Sequence, residues 1–233
     1  MKKIIILASL SIVTFLTFIP LIRAQWLKTI PGELYHDITI ILDAGHGGKD
    51  GGATSRSGLI ERDLVFNITK MVEDHLRLQG FNVILTRTDE NDLASSHATN
   101  RKREDLSRRI DIINNSENAI AISIHANAIS NTRWSGAQTF YDPKFLENKE
   151  LATAIMEAIQ SNIDNANRGQ RPLSNIYILR NSTIPTALVE VGFLSNPTEA
   201  ARLADEYYQA LIAYAIFEGI LNYVQNLGNI ESP

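Results

Sequence analysis

From position 38 onwards, the sequence alternates short apolar runs rich in β-branched residues with longer segments of helical periodicity. The runs Ile38–Leu42 and Ala119–Ile124 contain no charged residue, as expected of strands that are covered on both faces of a sheet. Between such runs, apolar residues recur at helical spacing, for example at Leu64, Ile68 and Leu76. Alternation of this kind predicts an α/β fold in which helices pack on both faces of the sheet.

We expect a single three-layer α/β domain, with a mostly parallel twisted sheet of about six strands and helices on both faces. The predicted strands are residues 38–42, 81–86, 119–124, 136–141, 176–179 and 186–191. The predicted helices are residues 61–79, 103–114 and 151–163, and a last helix that carries Tyr208 to Val224. The sequence shows no internal repeat and no second zone of composition, so one catalytic domain accounts for the pattern.

The first 24 residues follow a different pattern. Two lysines after Met1 precede the uncharged apolar run Ile4–Ile22, which is typical of an export signal; a buried core helix is the competing interpretation. The run is also just long enough, by the criterion of about 20 residues, to stay as a membrane anchor. We therefore expect an extracytoplasmic protein whose only membrane contact is this segment. The expected divisions are a signal peptide or anchor (1–24), a linker (25–37), a catalytic domain (38–226) and a tail (227–233).

The absence of cysteine restricts the chemistry that the chain can perform. Disulfides, a thiolate nucleophile, an iron–sulfur cluster and a cysteine-ligated zinc site are all excluded. A metal site must therefore use His, Asp or Glu, and the sequence has 5 His. The formal net charge of −4 argues against a nucleic-acid-binding protein, which would normally be basic.

Candidate functional residues stand at the ends of the predicted strands, where ligands gather in open α/β sheets. His46 lies in a glycine-rich loop after the first strand, His125 follows the third, and Glu190 lies near the end of the last. Glu61 stands at the start of the first helix. The glycine-rich loop fits neither a dinucleotide-binding fingerprint nor a Walker A motif, because Asp50 occupies a required glycine or hydroxyl position in both.

His46, Glu61 and His125 together form a common donor set of catalytic zinc sites, two histidines and one carboxylate. Their wide spacing forms no local motif such as H-E-x-x-H. The residue types alone therefore leave another interpretation open. Each His can be a hydrogen-bonded structural residue, and a Glu is favoured at a helix N-terminus by the helix dipole.

Four segments of the chain are, in order, ILDAGHGGKDGGA, GLIERDL, SIHANA and PTALVEVGFLSNP. In this order they resemble the signatures of the zinc-dependent N-acetylmuramoyl-L-alanine amidases, the amidase-3 family. The resemblance extends from Ile38 to about Val224. It implies that His46, Glu61 and His125 bind Zn²⁺ and that Glu190 is the catalytic carboxylate. It also implies the substrate, which is the amide between N-acetylmuramic acid and L-alanine in peptidoglycan.

Within the family, a short chain without wall-binding repeats resembles the germination-specific amidases of the spore cortex. That resemblance implies an enzyme of the forespore intermembrane space, which removes stem peptides so that a muramic acid deacetylase can form muramic-δ-lactam. A requirement for an activator protein stays open. The alternatives are a vegetative cell-wall autolysin, a zinc exopeptidase acting on free peptides, and a non-catalytic wall-binding module.

Four further features carry weaker expectations. Asp43 and Asn127 are candidates for orienting the histidines or contacting substrate, with turn capping as the alternative. Arg180, directly after a predicted strand, is a candidate contact for a stem-peptide carboxylate. The charged stretch from Arg101 to Arg109 is predicted to be a solvated helix face that could also contact the glycan.

Overall fold

The structure, a computed structural model, describes residue 35 and residues 37–164 and 166–230. The predicted export segment and nearly all of the predicted linker lie outside the described residues. In the described part of the chain, no helix combines the length and the apolarity needed to cross a bilayer.

Six strands form one twisted sheet in the order β2–β1–β3–β6–β4–β5. Among the described strands, only the pairing of β4 with β6 is antiparallel. This arrangement confirms the predicted mostly parallel α/β sheet. The strands are β1 (Thr39–Ala44), β2 (Asn82–Leu85), β3 (Ala119–Asn127), β4 (Gln138–Tyr141), β5 (Arg171–Pro172) and β6 (Thr186–Phe193).

Helices cover both faces of the sheet, because alternate side chains of a strand point to opposite faces. Ile40 and Leu42 of β1 belong to the same buried cluster as residues of α1, α3 and α6, whereas Ile41 belongs to a second cluster with residues of α2 and α4. The three predicted layers are thus present. The helices are α1 (Glu61–Leu78), α2 (Arg101–Asn114), α3 (Leu146–Asn162), α4 (Tyr177–Asn181), α5 (Pro197–Leu203) and α6 (Glu206–Ile230).

One predicted strand is wrong. The apolar run 176–179 belongs to the short helix α4, in which Ile178 and Leu179 are buried. A run of four apolar residues has no periodicity that separates a strand from a buried helical turn. The sixth strand is instead β5, two exposed residues that pair with Phe140 and Tyr141.

The predicted solvated face of α2 is wrong at Arg109, whose side chain is only 1% exposed. Arg109 lies on the buried side of the helix, beside Ile110. Its guanidinium reaches under the carboxyl end of β1 and contacts Asp43 and the carbonyl oxygens of Ala44 and His46. Helix α2 is therefore attached to the loop that follows β1.

Tyr35 fixes the start of the described chain at the amino end of the sheet. Its ring stacks on Phe81, just before β2, with the centroids 4.6 Å apart. Gln225 of α6 donates a hydrogen bond of 3.2 Å from Nε2 to the Tyr35 hydroxyl. The chain thus enters the domain at the edge of the sheet opposite to the carboxyl ends of β1, β3 and β6.

Candidate metal centre and active site

The three predicted metal ligands converge at the carboxyl edge of the sheet. Glu61 Oε1 lies 3.0 Å from His46 Nε2 and 3.0 Å from His125 Nδ1. One ligand atom from each residue can be chosen so that all three lie within 4.8 Å of one another. Residues that are 15 and 64 positions apart in the sequence therefore form one cluster of nitrogen and oxygen donors.

Glycines of the loop after β1 make room for the ligand side chains. A Cβ atom on Gly45 would lie 2.3–2.6 Å from the ring of His125. A Cβ atom on Gly52, which has φ +68°, would lie 2.5 Å from Glu61 Oε2 and 2.7 Å from the ring of His46. The glycine-rich sequence is thus explained by close approach of the loop backbone to the three ligand candidates.

Glu61 is held as an ionised carboxylate at the first position of α1. It is 5% exposed, and it accepts backbone hydrogen bonds from Ala53 (2.8 Å) and Ala126 (3.1 Å). Burial opposes its ionisation, but hydrogen bonds from His125 and His46 outweigh burial and hold the pKa of Glu61 well below its usual range. A buried carboxylate between two imidazoles is suited to bind a cation.

Asp50 orients His46, a role that the sequence interpretation missed. Asp50 Oδ1 lies 3.0 Å from His46 Nδ1, so the opposite ring nitrogen, Nε2, points to Glu61. Ligating histidines commonly have such a carboxylate on the second nitrogen, which fixes the ring and its tautomer. A carboxylate four residues after the histidine, in the same loop, is the sequence signal for this contact.

Glu190 lies beside the cluster on β6, directly opposite His125 on β3. The residue is partly accessible, but its Oε2 atom is buried and has no hydrogen-bond partner among the described residues. Burial raises the pKa of Glu190 to about 7, with a further increase from Glu61, while His125 and His46 lower it. Such a carboxylate can accept a proton near neutral pH.

A buried network supports the loop from below. Asp43 is 1% exposed and accepts hydrogen bonds from Thr86 (2.6 Å), Ser123 (2.6 Å) and Arg109 (2.8 Å). Burial opposes the ionisation of Asp43, but Arg109 and the two hydroxyl groups outweigh it and lower the pKa of Asp43 to about 2. Asp43 therefore acts on the site through Arg109, which in turn holds the carbonyl oxygen of His46.

Arg87, directly after β2, fixes the loop from the other side. Its guanidinium donates to the carbonyl oxygens of Ala44 (3.0 Å), Gly45 (3.1 Å) and Arg62 (3.0 Å). The sequence interpretation missed both Arg87 and Arg109. For Arg109 a signal was present, because the residue shares the helical face of Leu106 and Ile113.

The remaining candidates, Asn127 and Arg180, are not part of the cluster. Asn127 ends β3, two residues after His125 and opposite Phe193. Arg180 is exposed in the last turn of α4. Within the described residues, no hydrogen bond or ion pair joins its side chain to the three ligand candidates. The space beside Gly192 is filled by Glu199, which a Cβ atom there would approach to 3.0 Å.

Comparisons with known proteins identify the family of the chain. The family model described as N-acetylmuramoyl-L-alanine amidase, Amidase_3, matches residues 40–222. The germination-specific N-acetylmuramoyl-L-alanine amidase of Bacillus subtilis is 44% identical over 207 residues, which cover 88% of this chain and 85% of that protein.

Solved structures show the same fold. The CwlD amidase of Clostridioides difficile, in complex with the GerS lipoprotein, superposes with a TM-score of 0.78 at 41% identity, covering 81% of this chain and 98% of that one. The amidase AmiC2 of Nostoc punctiforme superposes with a TM-score of 0.71 at 33% identity, covering 82% and 99%. On these matches, the chain belongs to the Amidase_3 family of N-acetylmuramoyl-L-alanine amidases.

Proposed function

We propose that this amidase hydrolyses the bond between N-acetylmuramic acid and L-alanine with one Zn²⁺ ion bound by His46, Glu61 and His125. Glu190 is the catalytic carboxylate of the proposal. The observation that carries it is the convergence of these four side chains at one edge of the sheet, where Glu190 has a buried oxygen without a partner.

The residues fit a zinc ion by their chemistry. Two imidazoles and one carboxylate are the donor types that catalytic zinc sites use. Burial of His125 opposes its protonation, but Glu61 and Glu190 outweigh burial and raise the pKa of His125. The two carboxylates therefore give the cluster a negative potential, which favours a cation there.

In the proposed mechanism, the chain's own groups orient the reactants and move the protons. A Zn²⁺ ion bound at this cluster supplies a Lewis acid that polarises the amide carbonyl and makes water more acidic. Glu190 accepts a proton from the attacking water at its carboxylate. It then donates this proton to the departing nitrogen of L-alanine. Asp50 holds the ring of His46 in place during both steps.

The proposed biological role is maturation of the spore cortex. The 44% identity to a germination-specific amidase supports this role over that of a vegetative autolysin. A muramic acid deacetylase would then act on the product to form muramic-δ-lactam. Because peptidoglycan lies outside the cytoplasm, the proposal places the enzyme in the forespore intermembrane space, with residues 1–24 as its signal peptide or anchor, 25–37 as linker, 38–226 as catalytic domain and 227–233 as tail.

An activator-type lipoprotein is part of the same proposal. The amidase of Clostridioides difficile that superposes on this chain was solved in complex with a lipoprotein. A partner of that kind would bind this chain at the described domain. Activity with and without candidate lipoproteins from the same cell would show whether the chain depends on one.

The test of the reaction is reverse-phase analysis of peptidoglycan fragments before and after treatment with the purified enzyme. We expect release of intact stem peptides, loss of this release with a metal chelator, and recovery on addition of Zn²⁺. Glu190→Gln should keep its zinc but lose about 10²–10⁴-fold in turnover. Glu206→Gln, an exposed glutamate at the start of α6, is the matched control.

Two outcomes would contradict the proposal. Release of single amino acids in place of intact stem peptides would indicate the exopeptidase alternative. Near-normal amidase activity of Glu190→Gln would show that another group moves the protons.

A further inference from the structure

A second cleft, of about 460 Å³, opens on the β4 side of the candidate active site. Its walls come from the segment before β4, from the segment before β5 and from the start of α5. Three arginines line it: Arg133, Arg168 and Arg202. The sequence has a formal net charge of −4, so a group of guanidinium side chains around one cleft stands out in this chain.

Two pairs of strand neighbours place residues that contact Arg168 next to the strands of the candidate active site. Gln138 of β4 lies opposite Glu190 on β6, and its Oε1 accepts a hydrogen bond of 2.9 Å from Arg168 Nε. Phe193 of β6 lies opposite Asn127, and its ring centroid is 5.2 Å from the Arg168 guanidinium. Gln138 thus links Arg168 to the strand position opposite Glu190.

No ion pair joins the three guanidinium groups to a carboxylate of the described residues, although Glu199 lies near enough to raise the pKa of Arg168. No carboxylate in the described part of the chain lies within 4 Å of Arg133, Arg168 or Arg202. Two acidic residues do line the cleft. Glu199 is occupied, because its two oxygens accept hydrogen bonds from the backbone of Gly136 (2.7 Å) and Phe193 (2.8 Å). Asp164 is exposed at the rim.

Aromatic rings hold two of the arginines in position. The Arg168 guanidinium lies 4.7 Å from the ring centroid of Trp134, and that of Arg202 lies 4.3 Å from that of Tyr208. Burial and the neighbouring Arg171 lower the pKa of Arg168, and they outweigh the opposite effect of Glu199. A planar guanidinium fixed by stacking is suited to bidentate contact with a carboxylate.

We propose that this arginine cleft binds carboxylate groups of the stem peptide, on the leaving side of the scissile amide. This inference rests on the proposed function, because that function places a peptide next to Glu190. The ligand class is an acidic peptide rather than the glycan. Stacked guanidinium groups without ion-pair partners recognise carboxylates, and one face of Trp134 is already covered by Arg168.

Direct binding to zinc-loaded, full-length Glu190→Gln protein tests the proposal without turnover. The probes are L-alanyl-D-glutamic acid, which represents the first two residues of the stem, and its diamide, in which amides replace both carboxyl groups and the amino group is kept. Isothermal titration should show the acid binding about tenfold tighter than the diamide. Adding Arg168→Gln to this protein should remove most of that preference. Adding the double change Arg133→Gln and Arg202→Gln instead should also remove most of the preference, although Arg168 still stacks on Trp134. Arg103→Gln, an exposed arginine of α2, should keep the preference.

The results separate the two proposals. Equal affinity for acid and diamide, or the same loss in the Arg103→Gln control, would overturn the arginine cleft. If the acid is preferred and the cleft variants lose this preference while the wild-type enzyme leaves peptidoglycan intact with and without the candidate lipoproteins, the cleft is supported and the proposed function fails. Cleavage of peptidoglycan without a preference for the acid would leave the reaction in place and remove the cleft.

Discussion

The arginines on the two sides of the candidate active site have different partners. In the ligand loop (residues 45–52), Arg87 and Arg109 donate to backbone carbonyl oxygens, and Arg109 also pairs with Asp43 and Asp105. In the arginine cleft, guanidinium groups stack on aromatic rings, without an acidic partner within 4 Å in the described residues. The difference indicates that the loop's charges maintain geometry, whereas the cleft's charges are left for a ligand.

The comparison predicts that changes in the loop alter metal binding or folding stability, whereas changes in the cleft alter ligand binding alone. The largest effect is expected for His46→Ala and for His125→Ala. Each removes a nitrogen donor next to Glu61, so zinc content and amidase activity should both fall to background. Metal analysis of the purified variants together with peptidoglycan digestion measures this.

The matched control is His75→Ala, because His75 lies on α1 against Tyr214 and Phe217, away from the cluster. It should keep its zinc. Stoichiometric zinc in either ligand variant would show that the assignment of that histidine is wrong.

An intermediate effect is expected for Gly45→Ala. The new methyl group would displace the ring of His125, so zinc affinity should fall by about 10–100-fold, as it does when groups that orient a ligand are removed. Competition with a chelator of known affinity measures this change. Gly169→Ala is the control, because a Cβ atom on Gly169 has open space around it. Equal affinity in the two variants would contradict the close approach of loop and ring.

The smallest effect is expected for Asp43→Asn, which should lower stability more than zinc affinity. The pKa of Asp43 is about 2 in the fold and about 3.9 in an unfolded chain, so its ionisation contributes about 2 kcal/mol to the free energy of unfolding. Because the folded pKa is the lower one, this contribution is complete above about pH 4 and is lost as the pH falls through 2.

Urea unfolding of the wild type and of Asp43→Asn across this pH range measures the contribution. The difference between the two proteins should be largest at neutral pH and should shrink below about pH 4. A difference that does not depend on pH would show that packing, rather than the charge of Asp43, stabilises the loop. Arg133→Gln with Arg202→Gln should leave the unfolding midpoint unchanged.

Sequence reasoning located the candidate ligands because strand ends are readable from apolar runs. His46 and His125 each follow such a run, and the fold carries them to one edge. The supporting residues were harder to find. Arg109 is buried, whereas its neighbour Arg108 is exposed, so the residue type alone does not predict which arginine is buried. Only the three-dimensional packing of α2 under β1 distinguishes them.

The remaining errors also have physical reasons. Pairing of β5 involves two exposed residues, so no apolar pattern marks it. Helix α5, which the sequence analysis did not predict, has a clear local sequence signal. Asn196 caps the helix and Pro197 is its first residue. With that helix, the sequence could have placed Glu199 beside Phe193.

The position of Tyr35 gives the side of the domain on which the described chain begins. It begins at the amino end of β1, and the six residues of β1 separate this point from the ligand loop by about 20 Å. If residues 1–24 are a membrane anchor, as proposed, the connection to that anchor leaves the domain on the side away from the ligand loop.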